Sequence, residues 1–303
     1  MASSSRRRSG PRRSKAWTGY LFSFLLGVFL TAGIFLYLSP QKVFSPKSVP
    51  PKQSVIDKTV PQPLPDANIP KKEARLREPA VDLIPRVAIV IDDLGGDKHV
   101  SQELLNMNAS LTFSILPFTP YAKSIAEKAH QRGREVILHL PMEPHGYPKA
   151  NPGEGALFHA MNEEKLLRQL SRDIEAIPHV KGVSNHMGSR LMEDPVKMKI
   201  ILSDLRRRGL FFLDSRTTPE TVGFKVARSL GLRAAEKTLF LDHSQDEKDI
   251  KEKIEELIHF SLSSGKAIGI GHPYPSTIKS LKEMLPRIQE KGIKIVPLSA
   301  LTE

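Results

Sequence analysis

From Arg86 onward, short β-rich apolar runs alternate with longer stretches whose apolar residues recur at helical spacing. The predicted strands are Val87–Ile91, Leu111–Leu116, Glu135–Leu138, Gly182–Asn185, Leu210–Leu213, Thr238–Leu241, Ala267–Ile270 and Ile293–Pro297. Between them, Leu166, Leu167, Leu170 and Ile174 recur at helical spacing in Glu164–Ile177, and Ile250, Ile254, Leu257, Ile258 and Leu262 do so in Asp249–Ser263. Pro195, Pro219 and Pro275 stand where helices begin, and Gly133, Gly209, Gly231, Gly265 and Gly292 where they end. Pro286 is expected to kink the last helix. Strands alternating with helices call for a parallel sheet with helices packed on it. Seven to eight such units in residues 86–303 predict an α/β fold, a deformed (β/α) barrel, as one domain. An open doubly wound sheet is the alternative, but no G-x-G-x-x-G follows the first strand, so a dinucleotide site has no support.

The sequence before the barrel has a different character. Trp17–Leu38 carries no charge over 22 residues. As a helix rising about 1.5 Å per residue, it spans a hydrocarbon core of about 30 Å. Of the formal net charge of +12, six cations (Arg6, Arg7, Arg8, Arg12, Arg13 and Lys15) precede this run. The positive-inside rule therefore places residues 1–16 in the cytoplasm and the barrel on the exported, periplasmic side of the inner membrane. The run is longer than the apolar region of a cleaved signal peptide, and no convincing small-residue cleavage site follows, so an uncleaved single-span anchor is expected. Residues 39–85 hold ten of the 24 prolines and read as a semi-extended tether. The remaining basic excess is mild, aromatics are 6%, and no basic stripe interleaves with them, so nucleic acid is not an expected partner.

The chemistry is concentrated where the strands end. A (β/α) barrel builds its active site at the carboxyl ends of its strands. Asp92 and Asp93 follow the first run; His139, then Glu143, follow the third; His186 follows the fourth; Asp214 and Ser215 follow the fifth. Asp242 and His243 follow the sixth, and His272 follows the seventh. Six of eight strands thus end in carboxylate or imidazole, where Gly, Ser or Asn is the commoner exit. Imidazole and carboxylate together suit zinc or another first-row divalent ion, and a second carboxylate can act as base toward a water. The chain has no cysteine, which excludes thiolate metal sites and cysteine nucleophiles, and no G-x-S-x-G elbow supports a serine hydrolase.

The segments VAIVIDDLGG, GREVILHLPMEP, GVSNHMGS, FFLDSRTT and AIGIGHPYP resemble, in order, those of the divergent polysaccharide deacetylase family, a branch of the NodB-like carbohydrate esterases. The resemblance covers essentially all of residues 86–303. It implies a deformed barrel, a divalent metal and removal of acyl groups from N-acylated sugars. Carried over residue by residue, it implies Asp92 as catalytic base, Asp93 as metal ligand, and His139 as the first histidine of an H-x-x-x-H metal motif. Glu143 stands at the second position of that motif, a departure, with His186 as rival third ligand. His272 matches the late histidine that acts as general acid or orients the site, and Asp214 is the expected partner holding its tautomer. Arg190 and Arg216 suit a carboxylate or sugar oxygen, and Asn185 and Ser215 join them as candidate substrate contacts. Three functions follow: a membrane-anchored, metal-dependent deacetylase of an envelope glycan; a catalytically silent glycan-binding or envelope-assembly protein on the same barrel; and a glycosidase using Asp92 and Asp214 as paired carboxylates, which the resemblance argues against.

Overall fold

The computed structural model describes residues 84–303. The basic tail (1–16), the uncharged run (17–38) and nearly all of the tether (39–85) lie outside them, and among the described residues no helix is long and apolar enough to cross a membrane. The strands are β1 (Arg86–Leu94), β2 (Thr112–Ile115), β3 (Glu135–Met142), β4 (Val180–Met187), β5 (Phe211–Asp214), β6 (Ala234–Glu236), β7 (Leu239–Phe240), β8 (Lys266–Gly271) and β9 (Lys294–Ile295). The helices between them are α1 (Lys98–Leu105), α2 (Ala122–Gln131), α3 (Glu163–Ala176), α4 (Pro195–Arg207), α5 (Gly223–Ser229), α6 (Glu247–Ser264) and α7 (Pro275–Glu290). Pro195 and Pro275 open α4 and α7, whereas α5 starts four residues after Pro219. Pro286 lies inside α7, which continues to Glu290.

Every ladder is parallel, in the order β6-β5-β4-β3-β2-β1-β8-β7, with β9 also paired to β1. The two outermost strands are halves of one extended segment. Ala234–Glu236 pairs with β5, and after only Lys237 and Thr238 the chain pairs with β8. One segment that changes partner thus links the two ends of the curled sheet, which fits the deformed barrel. The first half, β6, escapes the sequence pattern because Ala234, Ala235 and Glu236 have little strand character.

Period-2 alternation divides the core. Val87, Ile89 and Ile91 belong to the large cluster shared with the helices. Ala88 and Val90 point the other way and pack with Ile137, Phe211, Leu213, Ala235, Ile268 and Ile270 from strands around the curl. Val296, Leu298 and Leu301 close this inner cluster. Leu298 N–H donates to Thr112 Oγ1 and Ser299 N–H to Glu135 Oε2, so the C-terminal segment caps the amino ends of β2 and β3. One end of the barrel is therefore plugged, and polar side chains gather at the other.

Gly182 is the tightest point of the inner wall: a Cβ there would lie 2.3–2.5 Å from the ring of fully buried Phe211. Gly182→Ala should therefore cost about 1–3 kcal/mol by overpacking. The check is a lower urea midpoint at unchanged slope.

Candidate metal centre

The centre begins with a break in the alternation of β1. Asp92 continues the inward series of Ala88 and Val90 and is 2% exposed. Its neighbour would face the helices in a regular strand. Instead Asp93 adopts a left-handed φ of 56°, and the ladder to β2 slips between Ile91 and Leu94. Both carboxylates consequently reach the polar end of the barrel. His139, two residues past inward-facing Ile137 on β3, is 2% exposed, and His186 lies two residues past its ladder partner Ser184 on β4.

Three donor atoms converge. His139 Nε2 lies 3.1 Å and His186 Nδ1 2.9 Å from Asp93 Oδ1, and the two nitrogens are 3.2 Å apart. The two nitrogens are in hydrogen-bond geometry, whereas buried Asp93 Oδ1 receives no aligned hydrogen bond from either ring. Ligand atoms held tetrahedrally 2.0–2.2 Å from zinc stand about 3.3–3.6 Å apart, so the triangle fits a first-row ion after a small expansion. Asp93, His139 and His186 are the group among the described residues with this spacing. Burial alone would raise the Asp93 pKa, but the two imidazoles outweigh it and hold the carboxyl well below the usual range. Behind the ligands, His139 Nδ1 lies 2.8 Å from Ser184 Oγ, which lies 2.9 Å from Ser114 Oγ. This buried chain engages Nδ1 and leaves Nε2 as the ring nitrogen turned to Asp93 and His186. Asp92 Oδ1, 3.5 Å from His139 Nδ1, is buried and without a donor.

His272 stands just past the end of β8, within reach of the charges of Asp92 and Asp93. Its Nδ1 is 2.8 Å from Asp242 Oδ1, its backbone N–H donates to Asp242 Oδ2 at 2.5 Å, and Thr277 Oγ1 donates to the same oxygen at 2.7 Å. Burial disfavours the imidazolium, but the Asp242 bond and charge, then the charges of Asp92 and Asp93, push the pKa up to about 9. A cation bound at Asp93 would oppose the last of these.

The structure corrects two expected roles. Asp214 does not hold His272. On β5, Phe211 and Leu213 face inward, so Asp214 follows Phe212 toward the helices. There it accepts from Phe224 N–H at 3.0 Å, Thr221 Oγ1 at 2.8 Å and Arg216 N–H at 2.9 Å, fixing the start of α5. That orientation also removes it as the second carboxylate of a glycosidase pair. Asp242 takes the orienting role because β7 pairs with β8, and Asp242 shares the inward face with Phe240. Glu143 is not among the converging ligands. Strand β3 runs on through Pro141 to Met142, and residues four apart on a strand are about 13 Å apart, against about 6 Å on a helix. Glu143 instead accepts from Arg190 Nη1 at 2.7 Å and His159 N–H at 2.6 Å, pinning two loops together.

The remaining candidates surround the centre. Arg190 is committed to Glu143. Asn185 is 1% exposed and accepts from Ser215 N–H at 2.8 Å while donating to Met187 O, so it braces the strand ends. Ser215 Oγ is buried without a partner. Four of the five non-glycine residues with left-handed φ, namely Asp93, Phe118, Met187 and Arg216, stand at or just beyond the ends of β1, β2, β4 and β5. Strain of this kind collects at functional sites.

The sequence model of divergent polysaccharide deacetylases matches residues 89–302. The chain belongs to the divergent polysaccharide deacetylase family. Within curated proteins, it is 34% identical over 219 residues to the uncharacterized protein YibQ of Escherichia coli K12, covering 72% of this chain and 68% of that protein. It is 33% identical over 216 residues to an uncharacterized protein of Haemophilus influenzae Rd, covering 71% and 76%. An uncharacterized protein of Agrobacterium tumefaciens C58 has a similar crystal structure, with a TM-score of 0.69, 27% identity and coverage of 72% and 89%. A putative cellobiose-phosphate cleavage protein of Enterococcus faecalis V583 shares the fold, with a TM-score of 0.53, 16% identity and coverage of 72% and 99%. The matched stretch, residues 89–302, contains Asp93, His139 and His186 as well as Asp92, Asp242 and His272.

Two outcomes follow. In an NMR pH titration of the metal-free protein, His272 should titrate near 9, and Asp242→Asn should lower that value by about one unit or more. Because folding raises this pKa, the pair's contribution to stability is complete below about 6.5 and fades as pH climbs through about 9. Glu143→Ala should cost about 1–3 kcal/mol, because Arg190 and His159 N–H lose their acceptor, yet it should leave metal binding intact. Denaturant unfolding and metal analysis of the same preparation read both effects.

Proposed function

We propose that this chain is a metal-dependent deacetylase that removes acyl groups from N-acylated sugars of an envelope glycan. The observation that carries the reading is the convergence of Asp93, His139 and His186 on one point, flanked by Asp92 and His272. Zinc suits this donor set of two imidazoles and one carboxylate. A divalent ion bound there supplies a Lewis acid for the amide carbonyl and acidifies a water. Asp92 accepts the proton of the attacking water through Oδ1, which no protein donor occupies. His272 carries a proton at neutral pH and delivers it to the departing amine, and Asp242 keeps its Nδ1 engaged so that Nε2 is the transferring atom. The same reading assigns residues 17–38 to a membrane anchor and 39–85 to a tether, with the barrel on the exported side; the uncharged run and the six cations before it support this.

A second reading, a glycan-binding barrel without catalysis, is favoured by one observation: the second motif position is a glutamate spent on holding loops. The two readings part on chelation. A silent barrel binds glycan equally with or without metal and with Asp92→Asn.

For the deacetylase, Asp92→Asn should retain metal and lower acyl release from an N-acetylated glycan by about 10²–10⁴-fold. His139→Ala and His186→Ala should lose metal and activity together. Mass-spectrometric metal content beside an acetate-release assay checks this, and full activity in Asp92→Asn would overturn the assignment of the base.

A further inference from the structure

We propose that Arg216 and Lys237, beside the Phe240 ring, form an anion subsite at the rim of the centre, which takes a carboxylate or phosphate carried by the N-acylated sugar. This rests on the deacetylase reading and names its substrate class. Lys237 occupies the two-residue junction where the closing segment leaves β5 for β8, and its backbone N–H is tied to Asp214 O at 3.0 Å. Its side chain is half-buried, and Nζ lies 3.8 Å from the centroid of Phe240. Among the described residues, Nζ makes no ion pair and no hydrogen bond. Phe240 in turn stacks on His272, with centroids 5.9 Å apart, so the ammonium stands one ring away from the proton donor.

Arg216 supplies the second cation. Its backbone holds a left-handed φ of 48°, fixed by the hydrogen bond from its N–H to Asp214. Its guanidinium meets Glu236 only at 3.7 Å, beyond hydrogen-bond reach, and is about half exposed. Burial and then the Arg216 charge lower the Lys237 pKa, while Asp214 opposes them. Asp214 cannot fill the site, because its oxygens are engaged by Phe224, Thr221 and Arg216 backbone or hydroxyl donors. The Arg216 guanidinium approaches Glu236, the residue next to Lys237, so two cations serve the same short stretch of the closing segment, neither hydrogen-bonded through its side chain, and an anion there gains charge-assisted bonds. The weak Glu236 contact is the acidic competitor that such a ligand displaces.

The test is an NMR titration of the full-length protein in detergent with three probes: N-acetylglucosamine, N-acetylmuramic acid and N-acetylglucosamine 6-phosphate. At least one anionic sugar should bind about tenfold or more tightly than the neutral one, and which one does so separates carboxylate from phosphate. Lys237→Gln should bring this preference toward one, and Lys237→Arg should retain it. Arg216→Gln provides the same readout should Lys237→Gln fail to fold. Equal affinity for all three sugars, or a preference indifferent to both Gln variants, would overturn the subsite and leave the deacetylase reading standing. Binding of none of the three would overturn the subsite and the glycan reading together.

Discussion

Two adjacent carboxylates on a strand point to opposite faces, and the centre exists because β1 breaks that rule at its last turn. The left-handed Asp93 and the slipped register behind it bring Asp92 and Asp93 to the same end of the barrel. Without that kink Asp93 would lie against the helices, and His139 and His186 would face each other with no anion between them. The strain of such a residue, of order 1–3 kcal/mol, is sustained by a strand locked on three sides by β2, β8 and β9.

The kink creates an electrostatic problem that the rest of the site answers. Carboxylates and imidazoles sit together with Asp92 and His139 buried, and burying charge is unfavourable unless it is paired or bound to a metal. Asp93 is held ionised by the two histidines, while one of its oxygens remains without a hydrogen bond. Asp242, anchored by Thr277 and the His272 backbone, stabilises the imidazolium. The site therefore separates into the Asp93–His139–His186 triangle and the His272–Asp242 dyad, with Asp92 against His139. Glu143 and Arg190 stand outside this division and hold the loops that frame it.

Much of this was legible in the sequence because the relevant signals are local. The strand runs from Val87, Glu135 and Ala267 and the polar residues that follow them need only period and position to be read. Other features depend on pairing that the sequence does not state. Asp214 and Asp242 are both aspartates at strand ends. Only the register, with Phe212 facing the helices and Phe240 facing inward, tells which of them meets His272. Likewise the reach of β3 to Met142 settles that Glu143 is too far along an extended chain to join His139, a point that two nearby prolines obscure. The closing segment was half hidden, since Ala234–Glu236 owes its strand conformation to β5 rather than to its own residues.

The central claim is that Asp93, His139 and His186 hold a divalent ion. Its most direct test is zinc-edge X-ray absorption on the zinc-loaded protein, with anomalous diffraction to place the ion. The account requires two imidazole nitrogens and a carboxylate oxygen at about 2.0–2.2 Å, with the ion between Asp93 Oδ1, His139 Nε2 and His186 Nδ1. An ion bound through Glu143, or no ion at this point at micromolar zinc, would contradict it.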